Sequence, residues 1–221
     1  MKKVQASHSW NVSPSQAISI QNELRSQVVR EGSPRNIRYI AGVDTGFEDN
    51  NTVTRSAIVV MTFPDLEIHE HVIARRPTSF PYVPGLLSFR EIPCIADAFE
   101  KLNTTPDLLL CDGMGIAHPR RFGIACHLGV LTDLPAIGVG KTRLIGEHAE
   151  VPEEKGGWVE LRHKQEVIGA VLRTRTNVKP VYVSIGNKID LKASIKYVMD
   201  CLTRYRLPEP IRTADKLASR R

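Results

Sequence analysis

The chain has 221 residues, 42% of them hydrophobic, which is enough for one large core and too little for a string of separate domains. Thirty Lys and Arg against 24 Asp and Glu leave a formal charge of +6, a balance that favours a polyanionic partner. No window approaches the roughly 18 consecutive apolar residues of a membrane span, and the start "MKKVQASHSW" has no apolar run behind its lysines, so the sequence reads as neither membrane-spanning nor exported.

Residues 12–31, "VSPSQAISIQNELRSQVVRE", put Ala17, Ile18, Ile20, Leu24, Val28 and Val29 at roughly helical spacing behind a Ser-Pro start. They predict an amphipathic N-terminal helix packed on the core. Three runs of strand character follow at 37–47, 55–64 and 66–76, and their short connections predict an antiparallel meander. Beyond the "SFPYVPG" loop, "LLSFREIPCIADAFEKL" has helical periodicity with Pro93 near its first turn, and "DLLLCD" is short and apolar enough to be a buried strand. "RRFGIACHLGVLTD" predicts a helix and "PAIGVGK" another buried strand; helices alternating with buried strands imply parallel pairing. After the polar loop "EVPEEKGG", residues 157–175 predict a hairpin turning at His163-Lys164-Gln165. "PVYVSIGN" predicts a further strand, and "DLKASIKYVMDCLTRYR" a long helix capped by Asp190. The whole reads as one domain over 1–221: an α/β fold whose mixed sheet starts with three antiparallel strands, continues with parallel ones and is flanked by helices. That element order resembles the ribonuclease H-like fold.

Cys94, Cys111, Cys126 and Cys201 are widely separated, form no CxxC pair and sit in apolar segments, the pattern of reduced thiols in a cytoplasmic protein. Asp44, inside the apolar run "IAGVDTGF", carries a charge that burial makes costly unless something compensates it. Asp112 ends "DLLLCD". With the two strands side by side, their carboxylates converge and repel unless a divalent cation binds between them, and Glu91 in "SFREIP" offers a third oxygen. The plain alternatives are a turn-forming Asp before glycine, a structural network around Asp44 and a helix-start Glu facing the dipole.

Lys141 emerges from "AIGVGK" at the carboxyl edge of the sheet, either as a charge for a phosphate or as a solvated strand-end lysine. His118, Arg120 and Arg121 stand at a predicted helix start, suited to a phosphate or to a basic surface turn. His127 reads as a satisfied core histidine, and His69 and His71 as exposed on their strand. Tyr82, pinned between Pro81 and Pro84, is either a rigid wedge of the kind that parts stacked bases or a loop anchor.

Together "IAGVDTGF", "VTRSAIVV", "PYVPGLLSFRE", "DLLLCDGMGIAHPRRFGIACHLGV", "PAIGVGKTRL" and "YRLPEPIRTADKLAS" resemble the endonuclease V family over nearly the whole chain. The resemblance implies a Mg²⁺-dependent endonuclease, with Mn²⁺ a substitute, that acts on inosine-containing nucleic acid; DNA containing deoxyinosine is the expected partner, and inosine-containing RNA stays open as another. It implies a cut at the second phosphodiester 3′ to the hypoxanthine nucleotide, leaving 3′-hydroxyl and 5′-phosphate ends. It makes Asp44, Glu91 and Asp112 metal ligands, sets Asp215 near the metal and gives Lys141 the scissile phosphate. Pro81, Tyr82, Pro84 and Gly85 become a strand-separating wedge, and backbone around Leu87, Gly113, Ile124 and Leu144 the base pocket. One departure is Met114, where many relatives carry histidine; substrate affinity and base selectivity are the properties it touches. Two other readings stay open: a junction-resolving nuclease of the same fold, and a non-catalytic nucleic-acid binding module. A monomer is the simplest expectation.

Overall fold

The computed structural model describes residues 8–219; residues 1–7 of the basic start and residues 220–221 lie outside the described residues. Eight strands form one sheet in the order β3-β2-β1-β4-β5-β8-β7-β6. β1 (Tyr39–Glu48), β2 (Val53–Thr62) and β3 (Ile68–Pro77) make the expected antiparallel meander. β4 (Leu108–Asp112) and β5 (Ala136–Gly140) then run parallel to β1, each reached through a helix. Parallel pairing stops there. β8 (Val181–Asn187) is antiparallel to β5, and β6 (Trp158–His163) and β7 (Glu166–Leu172) form the predicted hairpin beside it. The connection from β5 reaches the sheet again through that hairpin, which needs no crossover helix, so the later strands alternate in direction.

Helices cover both faces, as a central strand apolar on both sides requires. Ile40, Leu108, Leu110, Ile137 and Val139 pack with Val198 of α4 (Leu191–Asp200) and with Ile211 and Ala214 of α5 (Glu209–Ala218). The alternate residues Ala41, Val43, Leu109 and Cys111 pack with Ile92 and Ile95 of α2 (Leu87–Phe99) and Ala125 and Leu128 of α3 (Ile124–Thr132). All four cysteines are free and buried. No helix among the described residues is long and apolar enough to cross a membrane.

Several helix expectations change; α3, for one, starts at Ile124 behind Gly123, so His118, Arg120 and Arg121 precede the helix rather than open it. The N-terminal helix α1 covers Pro14–Leu24, fixed at its start by a Ser13/Gln16 capping box, and only a 3-10 turn at Arg25–Gln27 follows. Val28 and Val29 leave the helix because the β-branched chain is drawn out along the sheet: the Val29 N–H donates to Asn187 Oδ1, and the Lys188 N–H to the Val29 carbonyl. α4 stops at Asp200 rather than Arg206, and Arg206 instead donates to the carbonyls of Lys141 and Pro180, 2.7 Å each. α5 is an element that the sequence reading did not assign.

Candidate active site

The register of the parallel strands brings the first two acids together. Val43 pairs with Cys111, so the residues after them fall side by side, Asp112 at the carboxyl end of β4 and Asp44 in the middle of the longer β1. Both continue the even-numbered series of their strands, which faces α5. α5 supplies the third acid through a close backbone approach. A Cβ on Gly42 would lie 2.0 Å from the Pro210 carbonyl oxygen, and one on Gly46 would lie 2.5 Å from that of Ala218. Glycine on either side of Asp44 therefore lets α5 lie directly on β1 with Asp215 over Asp44. Arg55, buried in β2, fastens the far end of the helix by donating from Nε to the Leu217 carbonyl at 2.9 Å.

In the assembled group one carboxylate oxygen each from Asp44, Asp112 and Asp215 lies within 4.8 Å of the others. Lys141, just past the end of β5, sets Nζ 2.5 Å from Asp112 Oδ2 and 3.1 Å from Asp215 Oδ1. Burial pushes the Asp44 carboxyl up to about 8, with the charge of Asp112 adding to it and the Thr45 N–H and Lys141 opposing. Asp112 is raised by burial as well, against the pull of Lys141. Burial works against the Lys141 ammonium, but Asp112, then Asp44 and Asp215, outweigh it and keep it protonated above the usual lysine range. Glu91 stands outside the group of three. It comes from α2 on the opposite layer, is buried, and is raised well above the ordinary range by burial and then by Asp44 and Asp112. An all-oxygen set with this excess of carboxyl groups is suited to a hard divalent cation.

The acids line a cleft of about 490 Å³, within the range of ligand pockets. Tyr82, Pro84, Gly85, Leu87, Gly113, Ile124, Leu144 and His118 line it too, so most residues singled out in the sequence meet in one place. Tyr82 is 72% exposed at its rim. Its loop is held at both ends, because Phe80 and Leu86 are buried with Ala17 and Phe89. Gly113 has a positive φ of +137°, and a Cβ there would strike Ile124 Cγ2 at 2.7 Å, so only glycine keeps this wall open. Met114 is buried in an apolar cluster with Leu161, Ile168 and Val171, its side chain filling the space beside Gly140.

Pro81, Arg120 and Arg121 do not line the cleft. The basic trio is committed to internal partners. The Gly85 carbonyl accepts from His118 Nε2 (3.0 Å), Arg120 Nη2 (2.6 Å) and Gln21 Nε2 (3.0 Å), while Arg120 Nε donates to Gln21 Oε1. Arg121 donates to Glu166 and to the His118 carbonyl. Gln21 is the residue that sequence reasoning passed over. A glutamine between Ala17 and Leu24 on the buried stripe of α1 was the available signal, since such a side chain must have fixed partners. His127 is the satisfied core histidine expected, bonded to Ser88 Oγ and to His8. His69 and His71 are exposed on β3.

Paired carboxylates on adjacent parallel strands with a lysine against them, in a sheet of this order, place the chain among the ribonuclease H-like nucleases. A family model described as Endonuclease V matches residues 22–216, and the chain belongs to that family. It is 57% identical over 215 residues to endonuclease V of Trichormus variabilis, covering 97% of both chains. The crystal structure of endonuclease V from Streptomyces avermitilis superposes with a TM-score of 0.91 at 39% identity, covering 99% of this chain and 96% of that one. Endonuclease V of Ciona intestinalis, in complex with a 24mer DNA containing an inosine followed by a ribo-adenosine, superposes with a TM-score of 0.81 at 30% identity, covering 93% and 96%.

Proposed function

We propose that the chain, as a single domain and a monomer in the cytoplasm, recognises a hypoxanthine nucleotide in DNA and hydrolyses the second phosphodiester on its 3′ side, leaving 3′-hydroxyl and 5′-phosphate ends. The observation that carries this reading is the joining, in one cleft, of an acidic group with an adjacent lysine and an exposed tyrosine on an anchored loop. The inosine-containing DNA in the Ciona complex supports the choice of substrate.

Asp44, Asp112 and Asp215 would hold Mg²⁺, or Mn²⁺ in its place, with Glu91 supplying a further oxygen from α2. Such a cation, when bound, supplies positive charge against the phosphate oxygens and acidifies water. The protein's own part is positional. Asp112 and Asp215 fix the Lys141 ammonium, whose charge then meets the phosphate and the departing oxygen without further reorganisation. Tyr82, with Pro81 and Pro84 stiffening its loop, fills the space of the everted base, while Leu87, Gly113, Ile124 and Leu144 surround hypoxanthine itself. We extend the reading to inosine in RNA as an alternative substrate.

A strand labelled at one end and carrying one deoxyinosine in a duplex tests the reading. We expect one nick, two bonds 3′ to the lesion, with Mg²⁺ and none with EDTA. Equal nicking of the undamaged duplex, or cutting of a four-way junction in preference to either, overturns it; binding without scission at any Mg²⁺ concentration favours a non-catalytic module.

A further inference from the structure

A second groove, of about 470 Å³, opens from the active cleft and shares Lys141, Thr142 and Arg143 with it. Farther on it is lined by Arg173, Lys179 and Arg206. None of Arg143, Arg173, Lys179 and Arg206 forms an ion pair among the described residues. Two of them are fixed in place by neutral partners. Arg173 donates to the carbonyls of Pro152 (3.0 Å), Val178 (2.6 Å) and Val151 (3.1 Å), and Arg206 to those of Lys141 and Pro180. A guanidinium held by carbonyls keeps its charge and has already lost rotamer freedom, so it presents a fixed positive field, although the buried Nε of Arg206 has no hydrogen-bond partner among the described residues. Arg143 and Lys179 are exposed and have no bonding partner among the described residues, which leaves their donors for an incoming group.

From this we infer that the groove is a track for the phosphate backbone of the bound nucleic acid, leading the strand away from the scission site. The inference rests on the proposed nuclease reading and adds a surface to it. Continuity through Lys141 to Arg143 favours the substrate's own strand over an acidic peptide. The lining favours backbone over base: its aromatic ring, Tyr182, already stands edge-on to His148 at 6.0 Å. Contacts of this kind add affinity without sequence preference.

Lys179, Glu150 and Glu153 make the test, because all three are exposed and lie in this groove but not in the active cleft. Binding of a plain duplex is measured in Mg²⁺ over a range of salt concentrations. For the deoxyinosine duplex, the enzyme concentration giving half-maximal single-turnover cutting is measured over the same range. Lys179→Gln should weaken both duplexes by the same factor, roughly 3- to 10-fold, and flatten the slope of log affinity against log salt by about 1. Lys179→Glu should exceed this, and the double variant Glu150→Gln, Glu153→Gln should tighten both, with the maximal cutting rate unchanged throughout. An unaltered salt slope and affinity in Lys179→Glu and in the glutamine double variant overturns the track. Equal cutting of the two duplexes with the slope changes intact removes instead the lesion reading and leaves the track standing.

Discussion

The two walls of the active cleft are built from opposite arithmetic. On the wall that carries Tyr82, three donors from α1 and the segment after β4 converge on one acceptor, the Gly85 carbonyl. On the other, the carboxyl groups of Asp44, Asp112 and Asp215, with Glu91 behind them, face one ammonium. The first wall is complete as it stands, since each buried donor has a partner, and its effect is to hold a loop still. The second is short of positive charge, and burial first, with the neighbouring carboxylates after it, raises the carboxyl groups of Asp44 and Asp112. Satisfied polar groups stabilise a scaffold; an unbalanced set held in place by its surroundings is prepared for something that arrives.

The sharpest way to break this contrast is Asp44→Asn. Cutting of the deoxyinosine duplex should drop to background while the fold becomes firmer. The unfolded carboxyl ionises near pH 4, whereas the folded one, pushed up by burial and then by Asp112, holds its proton to about 8. In EDTA this carboxyl should therefore subtract stability as pH rises from about 4 to about 8, a contribution that the asparagine variant lacks, so the variant should gain on the wild type across that window and lead by on the order of 1 kcal/mol or more at pH 8.5 by urea unfolding. A variant that still cuts, or is no more stable there, removes the asymmetry.

Gly42→Ala comes next. Its methyl group must push Pro210 and with it Asp215, so cutting should fall about 100-fold from misplacement alone, with a stability loss of about 1–3 kcal/mol. Unchanged cutting would show that the seat of α5 on β1 does not set the site. On the complete wall, Arg120→Lys loses the pair of bonds to Gln21 and Gly85 and should cost about 1–3 kcal/mol by urea unfolding, with weaker binding of the lesion duplex and an unchanged Mg²⁺ requirement.

The smallest effect belongs to His118. Burial, then Arg120, holds its imidazole down at about 4, while the unfolded one takes up a proton near 6.5. Stability should be fully present above pH 6.5 and lost as pH falls towards 4, a slope that His118→Asn should flatten in an acid titration of the folded fraction.

Much of this was legible because it depends on local pattern. The meander, the short apolar strands and the hairpin declare themselves by alternation and by turn residues, and Asp44 stood out as a charge in an apolar strand. What escaped depends on partners distant in sequence. α5 opens among Pro208 and Pro210 and buries Ile211, Ala214 and Ala218, too small a stripe to announce a helix before its docking surface is known. The glycines at 42 and 46 read as weak strand residues until α5 is seen lying on them. His118 and Arg120 offer the same donors to a phosphate as to a backbone carbonyl, and nothing in the local sequence distinguishes the two. Met114 was unexplained because the hairpin side chains that enclose it lie more than forty residues further along.

The seating of Asp215 over Asp44 also sets an order in time. Residue 44 leaves the ribosome early and residue 215 only when nearly all of this sequence has been translated, so a nascent chain carries the lysine and two of the acids without the third. Pairing ends of the sequence so far apart also carries a large loop-closure entropy, which places that contact among the late ones in refolding. A nascent chain that has not reached residue 215 thus lacks one of the three acids that the folded cleft brings together.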